Sequence, residues 1–297
     1  MNSFTLGGVT INSTTFPVQS QRLDLGVTSE RFAHSGMAVP TFDAAEEQSP
    51  QFQFATQDLH RAINAIGWDG ADATGAQLWM TRMAHAGLRS SASDHTRVTV
   101  ADGYVVPLTI QAQHGQWATM EAQIWPASTD GNDPLSFTDN VALPSPASTP
   151  SAFTVGPCEI NGTAIQVQQV NLDFGVEVHA RRHDGEVWPS LVSGMLAAPV
   201  IRITTDDVGE LSRGTNAFGL SGAGCVLFFQ KAATHGLRVA AATEEHLRVT
   251  VASGMVIAGE VDANQDAEAS YEVVIHPTYD GTNAILQIAQ AAIGFGA

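Results

Sequence analysis

Phe4-Thr5-Leu6-Gly7 returns at Phe153-Thr154-Val155-Gly156, a shift of 149 positions in a chain of 297 residues. At that shift Ile11-Asn12 falls on Ile160-Asn161, and Leu23-Asp24-Leu25-Gly26-Val27 falls on Leu172-Asp173-Phe174-Gly175-Val176. His34, Gly36 and Pro40 fall on His183, Gly185 and Pro189. Asn64-Ala65-Ile66-Gly67 meets Asn216-Ala217-Phe218-Gly219 at a shift of 152, and Arg97–Ala101 meets Arg248–Ala252 at 151, as loops of unequal length require. A match kept in order along the whole chain marks a tandem duplication, and each copy is long enough to bury its own core. The expected domains are residues 1–142 and 153–297, joined by a Pro- and Ser-rich linker at 143–152.

Within each copy the apolar residues alternate with polar ones. Leu23, Leu25 and Val27 oppose Arg22, Asp24, Thr28 and Glu30; the second copy repeats this with Leu172, Phe174, Val176 and Val178. That is the period of a half-buried strand. It runs to Ser35-Gly36 and to Asp184-Gly185, a dipeptide that favours a tight hairpin, so a two-stranded arm is expected over about 20–41 and 169–190. Strands are expected at 51–55 and 200–204, 77–84 and 225–232, with three more per copy. In 104–113 the apolar row reads Tyr104, Val106, Leu108, Ile110 and Ala112; in 117–125 it reads Ala118, Met120, Ala122 and Ile124. One helix is expected at 57–66, from the stripe Leu59, Ala62, Ile63, Ile66, with Thr56 as cap and Asp58 in the first turn. Its partner at 206–217 is interrupted by Gly209 and Gly214. The fold class is mainly β: two sandwich or barrel domains, each with one short helix and a projecting hairpin.

The net charge is −17, split as 6 basic and 14 acidic residues over 1–149 and 7 and 16 over 150–297. Neither half is a basic nucleic-acid anchor. Only 14% of residues are charged, below the usual ~25%, which points to surface buried against partners. No long apolar run spans a membrane, and no signal-type leader is read at the N-terminus. Cys158 and Cys225 meet Val9 and Ala76 in the other copy, so the fold does not depend on a disulfide.

Chemistry-bearing patterns are sparse. His179 and His183 have the spacing of a helical metal pair but sit on a strand, and read as solvated hairpin residues. Asp206-Asp207 reads as a helix entry and Glu244-Glu245-His246 as a charged loop. No nucleophile elbow or phosphate loop occurs, so no catalytic, cofactor-binding or metal residues are assigned, and an enzyme is not expected.

The order strand, long hairpin, strand, helix after an Ala-Thr-Gln-Asp or Thr-Thr-Asp entry, then a run of strands resembles the tube protein of long bacteriophage tails, on segments 51–67 and 200–219. The fold is similar to the inner tube of contractile phages and type VI secretion. The resemblance implies sixfold rings stacked into a hollow conduit for DNA ejection, their inner sheets closing into one barrel. With two fused domains, three chains make a pseudo-sixfold ring. Implied partners are further copies of the chain and other tail proteins such as tape measure, terminator and distal tail proteins. DNA passes without specific binding, and the location is the virion tail after synthesis in the host cytoplasm. The hairpin tips His34, Ser35, Gly36, His183, Asp184 and Gly185 are then expected to touch the next ring. Polar strand faces carrying Asp24, Thr28, Gln111, Gln113 and Glu121, with Asp173, Glu177, Glu260, Asp262 and Glu272, are expected to line the lumen, where acids repel phosphates. A distal tail or hub protein with duplicated tube domains, and a tandem β-sandwich that binds glycans, remain the alternatives.

Overall fold

A computed structural model describes residues 4–32, 39, 42–82, 94–144, 151–183, 185–206, 218–220, 224–233, 237–264 and 267–294. The first half lays down β1 (Phe4–Ile11), β2 (Thr14–Phe16), β3 (Ser20–Asp24), β4 (Val27–Phe32), β5 (Phe42–Gln48) and β6 (Gln51–Thr56). After α1 (Leu59–Ile66) come β7 (Ala71–Asp72), β8 (Gln77–Arg82), β9 (His95–Val100), β10 (Asp102–Gln113), β11 (Thr119–Ala127) and β12 (Leu135–Val141). The second half runs β13 (Phe153–Ile160), β14 (Thr163–Ile165), β15 (Gln169–Asp173), β16 (Val176–Arg181), β17 (Leu191–Ala197) and β18 (Val200–Thr205). It ends with β19 (Phe218–Gly219), β20 (Cys225–Lys231), β21 (His246–Val251), β22 (Gly254–Asn264), β23 (Ala267–Pro277) and β24 (Gln287–Ala291).

Each half builds one five-stranded antiparallel sheet, ordered β12-β9-β8-β1-β2 in the first and β24-β21-β20-β13-β14 in the second, the same order of counterpart strands. Both halves share a ten-stranded sheet: β19-β22-β23-β18-β15-β10-β11-β6-β3, with β7 beside β10. In it β15 pairs β10, Asp173 opposite Thr109 and Gln169 opposite Gln113, so the two halves are sewn together by backbone hydrogen bonds. The core lies between this sheet and the five-stranded ones. Thr56, Met120, Ile110, Leu172, Ile201, Ile275 and Val256 occupy consecutive paired positions across seven strands. All seven are buried, so the core runs unbroken from one half into the other.

α1 buries its predicted stripe, Leu59, Ala62, Ile63 and Ile66. Its entry differs from expectation. Asp58 is the N-cap residue but makes no side-chain cap hydrogen bond, and its carboxylate instead pairs with Arg61 at 2.8 Å. Thr56 donates to Pro17 O at 2.6 Å and accepts the N–H of Asp58. The partner segment 207–217 lies outside the described residues.

Two strand readings are corrected. The arm strand does not run unbroken from residue 20: β3 stops at Asp24 and β4 starts at Val27, because Gly26 (φ 53°) turns the chain. Gly175 (φ 57°) does the same between β15 and β16. The hairpins proper are therefore β4–β5 and β16–β17, and their return strands begin after, not before, Pro40 and Pro189. In β10 the expected apolar row is broken between Pro107 and Thr109 by a bulge that inserts Leu108. Val105 faces the core before it, and Ile110 and Ala112 after it, which leaves Val106 on the opposite face. The row Ala118, Met120, Ala122, Ile124 is buried as read.

Candidate assembly interface

The ten-stranded sheet has two ends. At one end β3 pairs only β6; at the other, β22 pairs β23 and, through Met255 and Val256 alone, the short β19. Among the described residues no strand pairs the free side of β3, or the side of the 260–264 stretch of β22 that faces away from β23. By sequence β3 is the counterpart of β15, and β22 the counterpart of β10. The two open edges are thus the two sides of the chain's own internal seam. An unpaired strand carries a row of free N–H and C=O groups, a template for another strand.

Of the predicted lumen residues, several share the face of this sheet that points away from the core. Glu121, opposite Thr109, and Asp173, also opposite Thr109, stand in one row. Gln113 reaches Glu272 through Gln169 and Thr204 in another. Gln111 pairs with Thr119 and Asn171 on the same face. Asp24, opposite Gln51, closes the set at the end of β3. Gln111 and Gln113 are exposed, and Glu272 lies 3.8 Å from Arg202. Thr28 and Glu177 are not in this sheet; they stand exposed on the arm strands β4 and β16, because the Gly26 and Gly175 turns separate the arms from it. Glu260 and Asp262 lie in β22, and their side chains are outside the description.

Asp24 and Asp173 have a local duty that sequence reading missed. Asp24 Oδ1 accepts the N–H of Gly26, and Asp173 Oδ1 that of Gly175. The matched acid thus holds the turn into each arm, and Asp followed two residues later by Gly was the available signal.

The hairpin tips are partly described. His34, Ser35, Gly36 and Asp184 lie outside the described residues. Gly185 has φ 77°, and the N–H of Glu186 bonds His183 O at 2.9 Å, so the predicted tight turn is present. His183 Nδ1 stands 2.7 Å from Ser190 Oγ. The Ser190 hydroxyl and the His183 N–H hold the Glu186 carboxyl below its ordinary pKa. The β16–β17 arm does not project. It lies on the outward face of β10 and β11, where the N–H of Ser128 bonds Pro189 O at 2.7 Å. Gln48 N–H bonds Val187 O at 2.9 Å, and Arg182 reaches Glu47 at 3.3 Å and Ser49.

On the β4–β5 arm the Glu46 carboxyl is raised above its ordinary value by a hydrogen bond and charge repulsion from Glu30. Burial raises Asp58, against the pull of Arg61. Cys158 and Cys225 are free thiols 3.9 Å apart in the second-half core; the S–H···S hydrogen bond between them and burial raise Cys158 well above the usual thiol range. His246 is not part of a charged loop. It is buried, with Nδ1 accepting the N–H of Lys231 at 3.1 Å and Nε2 donating to Ala240 O at 3.0 Å. Its counterpart His95 accepts the N–H of Arg82 in the same way at 2.9 Å. Among the described residues no cluster of metal-ligating side chains occurs, and no helix is long and apolar enough to cross a membrane.

No protein-family model matches the chain, and no curated protein matches it at a significant level.

Proposed function

We propose that the chain is a structural virion protein, the major tail tube protein of a long-tailed phage. In this reading it consists of two tube-like domains that arose by tandem duplication, and three chains close into a pseudo-sixfold ring. The observation that supports this most directly is the open ten-stranded sheet whose two ends are the counterparts of its own β10–β15 seam. A head-to-tail contact that repeats an existing seam adds one chain after another and, when the rotation closes, makes a ring. In the seam's register, Asp24, Leu23 and Arg22 of one chain come opposite positions 260, 261 and 262 of the next. Closure leaves no exposed edge.

The part of the sheet's outward face that the arms leave uncovered supports a conduit. Its acids and amides, Asp24, Gln111, Gln113, Glu121, Asp173 and Glu272, outnumber the face's arginines Arg22 and Arg202, which pair with Asp24 at 3.3 Å and Glu272 at 3.8 Å, so DNA phosphates meet no row of free cations. Although the β16–β17 arm lies on the sheet, His183 and Gly185 at its tip are exposed, and in this reading they contact the next ring. Self-association through these surfaces is also what the low charged fraction calls for.

The test is the mass and shape of the purified protein. Native mass measurement and negative-stain microscopy are expected to find rings of three chains and stacked tubes. A stable monomer, or six chains per ring, overturns the reading; rings of three that never stack reassign the protein to a distal tail or hub position.

A further inference from the structure

We infer that the β4–β5 arm of one chain lies across the outward face of β22 and β23 in a second copy, with Ala45 over Met255 and the arm covering Ile257 and Tyr279. This rests on head-to-tail self-association, and adds to the strand edge a second contact made by side chains.

The chain already makes the equivalent contact with itself. Where the β16–β17 arm lies on β10 and β11, Val106 is 1% exposed and Ser128 3%. The N–H of Phe174 bonds Leu108 O at 3.0 Å, which locks the base of the arm to the bulge of β10. The counterparts of these residues are bare. Ile257, counterpart of Val106, is 36% exposed, and Met255, counterpart of Tyr104, is 46% exposed. Tyr279, two residues beyond the Gly254–Pro277 pair as Ser128 is two beyond Gly103–Pro126, is 63% exposed. On the arm side, Ala45, counterpart of the Gly194 that lies against Tyr104, is exposed. Two surfaces that fit each other in the middle of the chain are therefore both uncovered at its ends.

They cannot meet within one chain. Along the sheet β3 and β22 are separated by six intervening strands, roughly 34 Å at the usual strand spacing. A second copy is the occupant that carries both the missing arm and the missing face. The local fit also agrees. A methyl group at Gly194 would stand 3.0 Å from the Tyr104 ring, so the internal contact uses a glycine over an aromatic ring. The open surfaces have Ala45 where Gly194 stands and Met255 where Tyr104 stands: the methyl is present and the rigid ring is replaced by a flexible thioether. Large exposed apolar side chains grouped on one face are a mark of a docking surface.

The test uses the full chain with Cys158→Val and Cys225→Ala, the residues found at the counterpart positions. To this background Ala45→Cys and Met255→Cys are added, and the sample is treated with a short bis-maleimide. Expected are covalent dimers and trimers on a denaturing gel, while the pair Gly194→Cys and Tyr104→Cys links within one chain. Rings seen by microscopy without interchain links overturn the arm contact and leave the ring reading standing. A monomer without links overturns both. Ile257→Asp with Tyr279→Asp, at exposed positions, should retain the native circular dichroism yet lower the assembled mass to that of one chain at micromolar concentration. An unchanged assembly mass in that variant also overturns the contact.

Discussion

The Asp173 carboxylate accepts the backbone N–H of Gly175 at 2.9 Å, and this one bond sets where the sheet ends and the arm begins. Gly175 takes a positive φ there and returns its own carbonyl to the N–H of Ala198 at 3.1 Å. Asp24, Gly26 and Ser49 repeat the arrangement. Asp173→Ala should cost about 1.5 kcal/mol, the low end for one hydrogen bond to a charged group. Gly175→Ala should cost more, since its methyl would press on Ala198 O in a left-handed backbone conformation. Urea denaturation of both variants checks the order.

His95 and His246 are expected to act as structural acceptors. Each receives a buried backbone N–H on Nδ1, which requires a neutral ring with its proton on Nε2. His246→Ala leaves the Lys231 N–H and the Ala240 carbonyl without these partners and opens a cavity, so a loss of roughly 2–4 kcal/mol is expected. A loss under 0.5 kcal/mol in thermal unfolding would show that water replaces the ring without cost.

Asp58 should impose a pH dependence. Burial raises its folded pKa above the unfolded one. The folded state then binds the proton more readily, so this group's contribution favours folding at acid pH and is lost as pH rises through the folded value. Asp58→Asn should flatten the stability profile just above the ordinary carboxylate range. If the variant keeps the wild-type slope there, another group is responsible. Because Arg61 offsets part of the burial cost, Arg61→Ala should steepen the same slope.

Charge on the outward sheet face can be tested away from the two turn aspartates. Glu121→Lys with Glu272→Lys should leave folding intact, because both side chains stand outside the core. The native protein is expected to retain little duplex DNA, whereas retention by the variant should appear in low salt and fall steeply as salt is added. Absence of any retention in assembled variant particles would count against a lumen position for this face.

Strand positions were legible in the sequence because they rest on local pattern. A period of two marks a strand whatever it pairs with, and the run Ala118, Met120, Ala122, Ile124 needed nothing more. The Leu59–Ile66 stripe was equally plain. Reading failed where the outcome depended on partners distant in the chain. Tyr104, Val106, Leu108, Ile110 and Ala112 alternate without a fault, yet the bulge at Leu108, whose carbonyl takes the N–H of Phe174, moves Val106 to the face covered by the second arm. Nothing near residue 246 says that His246 is buried, since its partners are the N–H of Lys231 and the carbonyl of Ala240. Asp24 and Asp173 looked like charge kept for a channel and proved first to be turn acceptors. The sequence alone determined two counterpart sets of β elements and an acidic, lysine-poor surface. The tertiary structure alone decided that β15 pairs with β10. Backbone hydrogen bonds between strands carry no sequence label, and which edge a strand finds is settled only when both halves are packed.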